Sequence, residues 1–451
     1  MGKGRMRIKK SVFGKVIYVS IFILVLIGTA SADVLTLDQS IDLALKNNFG
    51  VIQARNSLST SRGNVYSAWG NFLPSIDLSA NRNQSWTNPA SESSSIINGP
   101  DTISQLFTTG GKNTRYSGSL SFSQRYSGLG IGTYANLMQS YHNRSSSLYN
   151  FYSAQTNLVL NVKNAYYNAL RSKMLVATDS DAVKRSEEGL RVTQSRYDLG
   201  SAAMSDVLRS KVQLATDQLS LVSDANAYQS GLINLAFLIG IPVTQQFDIT
   251  DKLPEVESNI TYDSALGEAL SRNPDYKKAQ FDLFSSKDFA LAAYANNLPS
   301  LSLSLTHSTS AAKFSQLTKF KAANASYQFS IGLGFNIFNG FGDYANVRAA
   351  CNSVSTANAN LTNTKNGVAL AVQQAFLDIQ RAKEEKDLSD QSMASAQEAY
   401  NLVKEKYDLG AAAILDVLDA EVALKQAQVS QVNASFDYNI SVANLDKAMG
   451  K

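Results

Sequence analysis

The heptapeptide Tyr197-Asp198-Leu199-Gly200-Ser201-Ala202-Ala203 returns as Tyr407-Asp408-Leu409-Gly410-Ala411-Ala412-Ala413, at an offset of 210 residues. The correspondence continues without a gap to Gly240 and Gly450 with 18 identities, against roughly three expected from average residue usage. The chain is therefore internally duplicated. In each copy a glycine followed by small residues separates two helical patterns, as in a tight turn.

Working outward, the offset upstream becomes 225: Leu73-Pro74-Ser75 matches Leu298-Pro299-Ser300. Asp38, Ala44, Leu45 and Asn48 likewise match Asp263, Ala269, Leu270 and Asn273. The first half's additional residues fall in Ser85 to Lys112, a stretch rich in Ser, Asn, Gly and Pro that predicts a long surface loop. Each half reads as helix, strand, loop, strand, long helix, tight turn, helix. The first repeat covers 33–240, with a β-hairpin over 73–126 and a helical hairpin over 129–240. A linker over 241–262 leads to the second repeat, 263–451, with a β-hairpin over 299–338 and a helical hairpin over 341–449.

Residues 1–32 read as a signal peptide: six basic residues from Lys3 to Lys15, an apolar run from Val16 to Ile27, and Ala30-Ser31-Ala32 as the cleavage site. That run falls short of the ~20 residues a membrane helix needs. Cleavage removes six positive and no negative charges, so the formal charge of +4 becomes −2. The basic pI belongs to the leader, and nothing in the remainder supplies the basic stripe that nucleic acid requires. The single cysteine, Cys351, excludes an intramolecular disulfide and reads as a small buried helix residue. With no further membrane-length apolar run, contact with a bilayer must be made by strands.

Tyr327, Phe329, Ile331, Leu333, Phe335 and Ile337 alternate with small or polar residues, a strict period of two. Leu301, Leu303 and Leu305 alternate with Ser302, Ser304 and Thr306, and the first half offers Ile76, Leu78 and Ala80, then Leu120 and Phe122 among serines. Such segments fit outer-membrane strands, apolar toward lipid and polar toward water, and they also fit a half-buried soluble sheet. In lipid no sheet edge can stay open, so the strands of one chain would have to be completed by other chains. Two chains would give an eight-stranded barrel filled by its own side chains, so an open duct needs at least three.

Prolines are absent between Asp101 and Ile241 and after Ser300, and a helix of about 65 residues in each interval would reach ~100 Å. Beyond the turns, Leu208, Val212, Ala215, Leu219, Val222, Asn226, Gln229 and Ile233 follow alternating steps of four and three. Leu418, Val422, Lys425, Val429, Val432, Phe436, Asn439 and Ala443 repeat the pattern, a coiled-coil-like seam that equally suits a soluble bundle.

The repeated Tyr-Asp-Leu-Gly turns, with Asp206-Val207-Leu208 and Asp416-Val417-Leu418-Asp419 after them and the Leu-Pro-Ser strand starts before them, resemble the TolC-like outer membrane factor family. The resemblance covers essentially the whole mature chain. It implies a homotrimer joining a membrane β-barrel of twelve strands, four per protomer, to a long α-helical coiled-coil barrel in the periplasm. It further implies a Gram-negative-type outer membrane, and an exit duct for a tripartite efflux pump or type I secretion system. The partners implied are a periplasmic adaptor (membrane fusion protein) and an inner-membrane pump of the RND or ABC type. The turns at Gly200 and Gly410 would form the periplasmic tip. Asp416 and Asp419 become candidates for acidic rings there, and Tyr407 for a polar latch to Asp206 and Ser205. Ala412 stands where a latch arginine occurs in some members. Read from the residues alone, Asp206 and Asp416 also suit helix capping.

Materials for catalysis are missing. The only histidines, His142 and His307, lie in different halves and read as surface or strand-end residues, so no metal, cofactor or Ser-His-Asp site is expected. Gly128-Leu129-Gly130-Ile131-Gly132 lacks the spacing and lysine of a nucleotide loop and, like Gly340 and Gly342, reads as a strand-to-helix bend. Arg381 to Asp387 reads as a solvated helix face, and Tyr126 and Trp86 are candidates for the lipid interface. Two other readings stay open: a structural or adhesive surface coiled-coil protein without a pore, and a stand-alone porin, which would not need the long helical hairpins.

Overall fold

The equivalent residues Asn48 and Asn273 divide what reads as one opening helix in each repeat into two. The Asn48 side chain accepts from the Gly50 N–H at 2.8 Å, and that of Asn273 from Asp275 and Tyr276 at 3.0 and 3.2 Å. Each asparagine thus caps a new helix. Pro274 suits the first helical position because its missing N–H would have had no partner there.

The computed structural model describes residues 34–87, 91–98, 101–108, 111–250, 252–253, 260–317 and 325–451; the segment read as a signal peptide and part of the linker lie outside these. The first repeat runs β1 (Val34–Leu35), α1 (Leu37–Asn47), α2 (Phe49–Gly70), β2 (Ser75–Thr87), β3 (Ser91–Asn98), β4 (Asp101–Thr108), β5 (Gly111–Tyr126), α3 (Ile131–Asp198) and α4 (Met204–Ile239). Then come β6 (Asp248–Ile249), α5 (Tyr262–Arg272), α6 (Pro274–Ala295), β7 (Ser300–Ala311), α7 (Phe314–Leu317), β8 (Ala325–Gly334), α8 (Gly342–Asp408) and α9 (Ile414–Met449). Among the described residues no helix is long and apolar enough to cross a membrane.

Two compact units form, each drawing on both repeats. The first gathers the described residues of Met1–Ala44, Asn161–Glu255 and Lys386–Phe436. In it the linker, read as plain connection, supplies β6 to pair in parallel with β1. The Asp248 carboxylate there accepts from Lys173 Nζ at 2.8 Å, from the Ile249 N–H at 2.7 Å and from the Tyr228 hydroxyl. Burial pushes its pKa up, but these donors outweigh burial and hold it below the usual carboxylate range. Small residues bring helices close: a Cβ on Gly231 of α4 would lie 3.1 Å from the Ala169 Cα of α3.

The second unit, Leu45–Leu160, Val256–Glu385 and Asp437–Lys451, contains one antiparallel sheet in the order β2-β5-β7-β8. The two hairpins join through β5 and β7, leaving β2 and β8 as edges. Register aligns Ile76, Phe122, Leu305 and Phe329 in one row and Leu78, Leu120, His307 and Tyr327 in another. Residues of opposite parity form the other face, with rows Ser75, Ser123, Ser304, Ser330 and Ser79, Ser119, Ser308, Ser326. Cross-strand hydroxyl pairs at 2.7–2.8 Å join Ser75 to Ser123, Ser79 to Ser119 and Ser308 to Ser326.

Several expectations are corrected. The Ser85–Lys112 stretch is not merely loop: β2 and β5 stay paired to Thr87 and Gly111, and β3 and β4 form a second hairpin. Its Ile and Thr residues favour strand, with Gly99 and Pro100 between the two runs. β8 stops at Gly334, before Phe335 and Ile337, because its ladder ends at Ser300 and the next residue on that partner is Pro299, which has no N–H. Cys351 is exposed, since the helix turns its neighbour Ala350 inward against Ala290 and Ala293. His142 pairs with Asp288 between α3 and α6, and His307 stacks on Tyr327 at 4.4 Å within the sheet. The α4 seam is not core in the single chain: Leu208, Val212, Leu219, Val222 and Ile233 are exposed, whereas Phe436 and Ala443 of the α9 seam are buried.

At the strand-to-helix junction Gly128, Leu129 and Gly130 take φ values of 55°, 54° and 98°. A Cβ on Gly128 would come 2.4 Å from the Ala295 carbonyl oxygen, so only glycine fits. Gly340 and Phe341 make the equivalent left-handed bend before α8, with φ values of 68° and 69°.

Candidate functional site

Both repeated turns close by the same backbone device. Gly200 and Gly410 sit at φ 75°. Their N–H groups reach the carbonyls of Tyr197 and Tyr407, while Ser201 and Ala411 reach Arg196 and Lys406 at 2.8 and 2.7 Å. This is the Schellman arrangement, which needs a left-handed residue just beyond the helix and satisfies its last carbonyls. The repeated glycine thus serves the turn itself, to which the tyrosine contributes only its carbonyl.

Asp206 and Asp416 occupy the third position of the helices that leave these turns. Their carboxylates accept from the Ala203 and Ala413 N–H groups at 3.4 and 3.0 Å. Alanine has no side-chain acceptor to return the bond, so half of a capping box is present. Asp416 and Asp419 are both exposed, three residues apart on one side of α9. Ser205 is exposed beside half-buried Asp206.

Tyr407 is buried, and the structure brings it to Arg196, not to Asp206 or Ser205. The Arg196 guanidinium lies 4.0 Å from the Tyr407 ring centre and donates to its carbonyl oxygen at 3.0 Å. A guanidinium over a tyrosine face is a cation–π contact. A guanidinium is therefore present at the turns although Ala412 offers none; it comes from the first repeat. Its sequence signal was modest: a basic residue in the last turn of α3, matched by Lys406 in α8.

Between the helices of this first unit, behind the turns, lies a charged layer. Lys425 of α9 holds Asp179 of α3 and Asp217 of α4, both at 3.0 Å, with the carboxylates 3% and 1% exposed. Desolvation raises the pKa of Asp224, reinforced by the charge of Asp179 and a shared hydrogen bond with it. Arg185 approaches Glu421 at 3.5 Å. Burial, reinforced by the charge of Asp217, nevertheless pushes the Glu421 pKa up to about 7. Tyr400, also raised by burial and by Glu421, lines with Arg185, Glu421, Tyr407, Val192 and Leu418 a cavity of about 400 Å³. The sequence signal for this layer was a lysine in an apolar seam. Among the described residues no group of His, Cys, Asp or Glu has the arrangement of a metal site.

Comparison with known proteins accords with this architecture. The family model described as outer membrane efflux protein matches residues 40–241 and 265–451. The outer membrane protein TolC of Escherichia coli (strain K12) is 24% identical over 304 residues, 66% of this chain and 62% of the relative. The pyoverdine export outer membrane protein OpmQ of Pseudomonas putida is 24% identical over 296 residues, 64% of this chain and 61% of the relative. The chain thus spans about three fifths of the length of these curated relatives. The CmeC outer membrane channel of Campylobacter jejuni superimposes with a TM-score of 0.78 at 20% identity, over 92% of this chain and 85% of that one, a likeness of fold. Since the family match takes in both repeats and skips only the start of the chain and the linker between them, the protein belongs to the outer membrane efflux protein family.

Proposed function

We propose that the protein is a trimeric exit duct of the outer membrane, a passive conduit from periplasm to exterior that serves an efflux pump or a type I secretion system. The observation that carries this reading is the four-stranded sheet with one apolar face, one serine face and two open edges. Lipid tolerates no open edge, so β8 of one copy pairs with β2 of the next. Three copies give twelve strands around a serine-lined lumen, whereas two would give a barrel filled by its own side chains. The exposed α4 seam supports the same closure, because five large apolar residues at coiled-coil spacing call for a helix from another copy. The family's outer-membrane character favours this over a surface coiled-coil protein.

The helices extend into the periplasm, where the turns at Gly200 and Gly410 form the tip that receives an adaptor and, through it, an inner-membrane pump. The pump supplies the energy and sets the cargo, and no residue of the duct does chemistry. Three copies of Asp416 and Asp419 around one axis crowd negative charge, which attracts cations. Arg196 and Tyr407 join the two turns within one copy, with Arg196 in the place of the latch arginine, and Asp206 and Ser205 complete the latch only when the copies assemble around the closed tip.

Single-channel recording in planar bilayers, with the oligomeric mass measured in the same detergent, tests the reading. Discrete conductance from a trimer supports it, and a monomer that never inserts overturns it. Divalent cations should block the channel, and Asp416→Ala with Asp419→Ala should abolish that block; unchanged block would remove the acidic rings from the proposal.

A further inference from the structure

The apolar face of the sheet changes chemistry at its loop end. Along β7 that face runs Leu301, Leu303, Leu305, His307, Thr309, Ala311, and the register sets Leu301 beside Tyr126 and Ala311 beside Tyr116. Ten residues of strand cover ~33 Å, which a tilt of about 40° reduces to about 25 Å, the height of an outer-membrane apolar band. The row of Tyr116 therefore lies at the far edge of the band from the strand-to-helix junctions.

Cations gather at that edge. Arg82 is the β2 partner of Tyr116, and its guanidinium stands 5.9 Å from the Tyr116 ring centre. Two steps further on the same face, Lys112 is paired with Trp86, and both are exposed. Phe314 meets the Tyr116 ring edge-on at 5.9 Å, and a Cβ on Gly118 would lie 3.9 Å from Leu317. The segment carrying exposed Lys313 therefore lies over this same face. Among the described residues none of the three cations is paired with a carboxylate. Asp77, the one acidic residue in the four strands of this sheet, has the opposite parity and belongs to the serine face.

We infer that Arg82, Lys112 and Lys313, set among Trp86, Tyr116 and Phe314, form a surface that binds the phosphorylated headgroups of anionic lipid in the outer leaflet. The inference rests on the barrel reading above. Aromatic rings settle at the boundary of the hydrocarbon, where amphipathic side chains extend their charged ends into the headgroups. Arg82 donates to the Gln84 side-chain oxygen at 3.0 Å, which leaves its charge uncompensated; cations without a carboxylate partner at that depth select phosphate over zwitterionic headgroups, each strengthening attraction to an anionic surface.

The test uses the full protein carrying Trp69→Phe, so that Trp86 is its only tryptophan. Its emission is followed in mixed micelles titrated with lipid A, a bis-phosphorylated glycolipid, or with phosphatidylcholine. A saturable change is expected with lipid A alone, weakening as salt rises. It should be at least about tenfold weaker in Arg82→Gln/Lys112→Gln/Lys313→Gln. Arg115→Gln, on the serine face, should bind as the parent does, and excess inorganic phosphate should not compete. Equal binding by the triple variant, an equal response to phosphatidylcholine, or competition by phosphate overturns the inference. Native mass spectrometry of retained lipid A gives the same comparison with Trp69 intact, should its replacement disturb the fold. Bilayer conductance of the same preparations separates the two levels: a wild-type protein that does not conduct sinks the duct, and one that conducts without discriminating lipids sinks only this surface.

Discussion

Glu421 shows how a single position couples the helical layer to pH. The residue is 4% exposed, and burial together with Asp217 outweighs the attraction of Arg185, lifting its pKa from 4.5 to about 7. A carboxyl whose pKa is higher folded than unfolded favours the fold while protonated. Its contribution is complete below about pH 4.5 and is lost as pH rises through about 7. The shift corresponds to about 3 kcal/mol. Glu421→Gln keeps the shape and the hydrogen-bonding capacity but cannot ionise. Thermal unfolding in detergent should show wild type losing stability relative to this variant between pH 5 and 8, with the two profiles parallel below that window. Parallel profiles throughout would mean that Glu421 is ionised and compensated in the fold.

At the level of elements, glycines with similar backbone angles have different consequences because of what surrounds them. Gly200 stands at φ 75° with open space where a Cβ would go, so Gly200→Ala carries only left-handed strain, about 1 kcal/mol. Gly128, at φ 55°, has the Ala295 carbonyl oxygen in that place, so Gly128→Ala must also displace α6 from the junction. Gly200→Ala should assemble and insert nearly as wild type, whereas Gly128→Ala should lower the yield of inserted channel severalfold; equal yields would show that the junction is pliable. The same contrast marks what was legible beforehand. Both bends could be seen in the sequence because glycine has a local, conformational reason to be there, and the strands because a period of two assigns each residue to a face. The second hairpin in Ser85–Lys112 was hidden by serine and asparagine, which serve turns and strands alike. The opening helices were split by asparagines whose capping role depends on geometry. The α4 seam showed its spacing but not its exposure, since nothing local distinguishes a helix partner in the same chain from one in another. Arg196 and the layer around Lys425 depend on contacts between repeats, which pairing within one repeat cannot reveal.

For the whole molecule, closure of the sheet is the step from which the duct follows, and it can be tested without measuring transport. Ile76 of β2 and Phe329 of β8 lie in one row of the four-stranded ladder, at opposite edges and on the same face. In a ring, β8 of each copy meets β2 of the next in a head-to-tail contact, so a cysteine on each edge can bridge copies while a cysteine on one edge cannot. The stagger that closes a barrel shifts register between neighbours, so Ile76→Cys is to be combined in turn with Phe329→Cys, Ile331→Cys and Leu333→Cys. Exposed Cys351 is replaced by serine in every case, because its thiol would otherwise compete. Oxidation in the membrane should give at least one pair that forms covalent dimers and trimers, with a ladder ending at three. Each single-cysteine variant should remain monomeric on a denaturing gel. A ladder ending at two would mean a filled barrel and no duct. No bridge from any pair would mean that β2 and β8 do not meet, and the open edges would then require another cover.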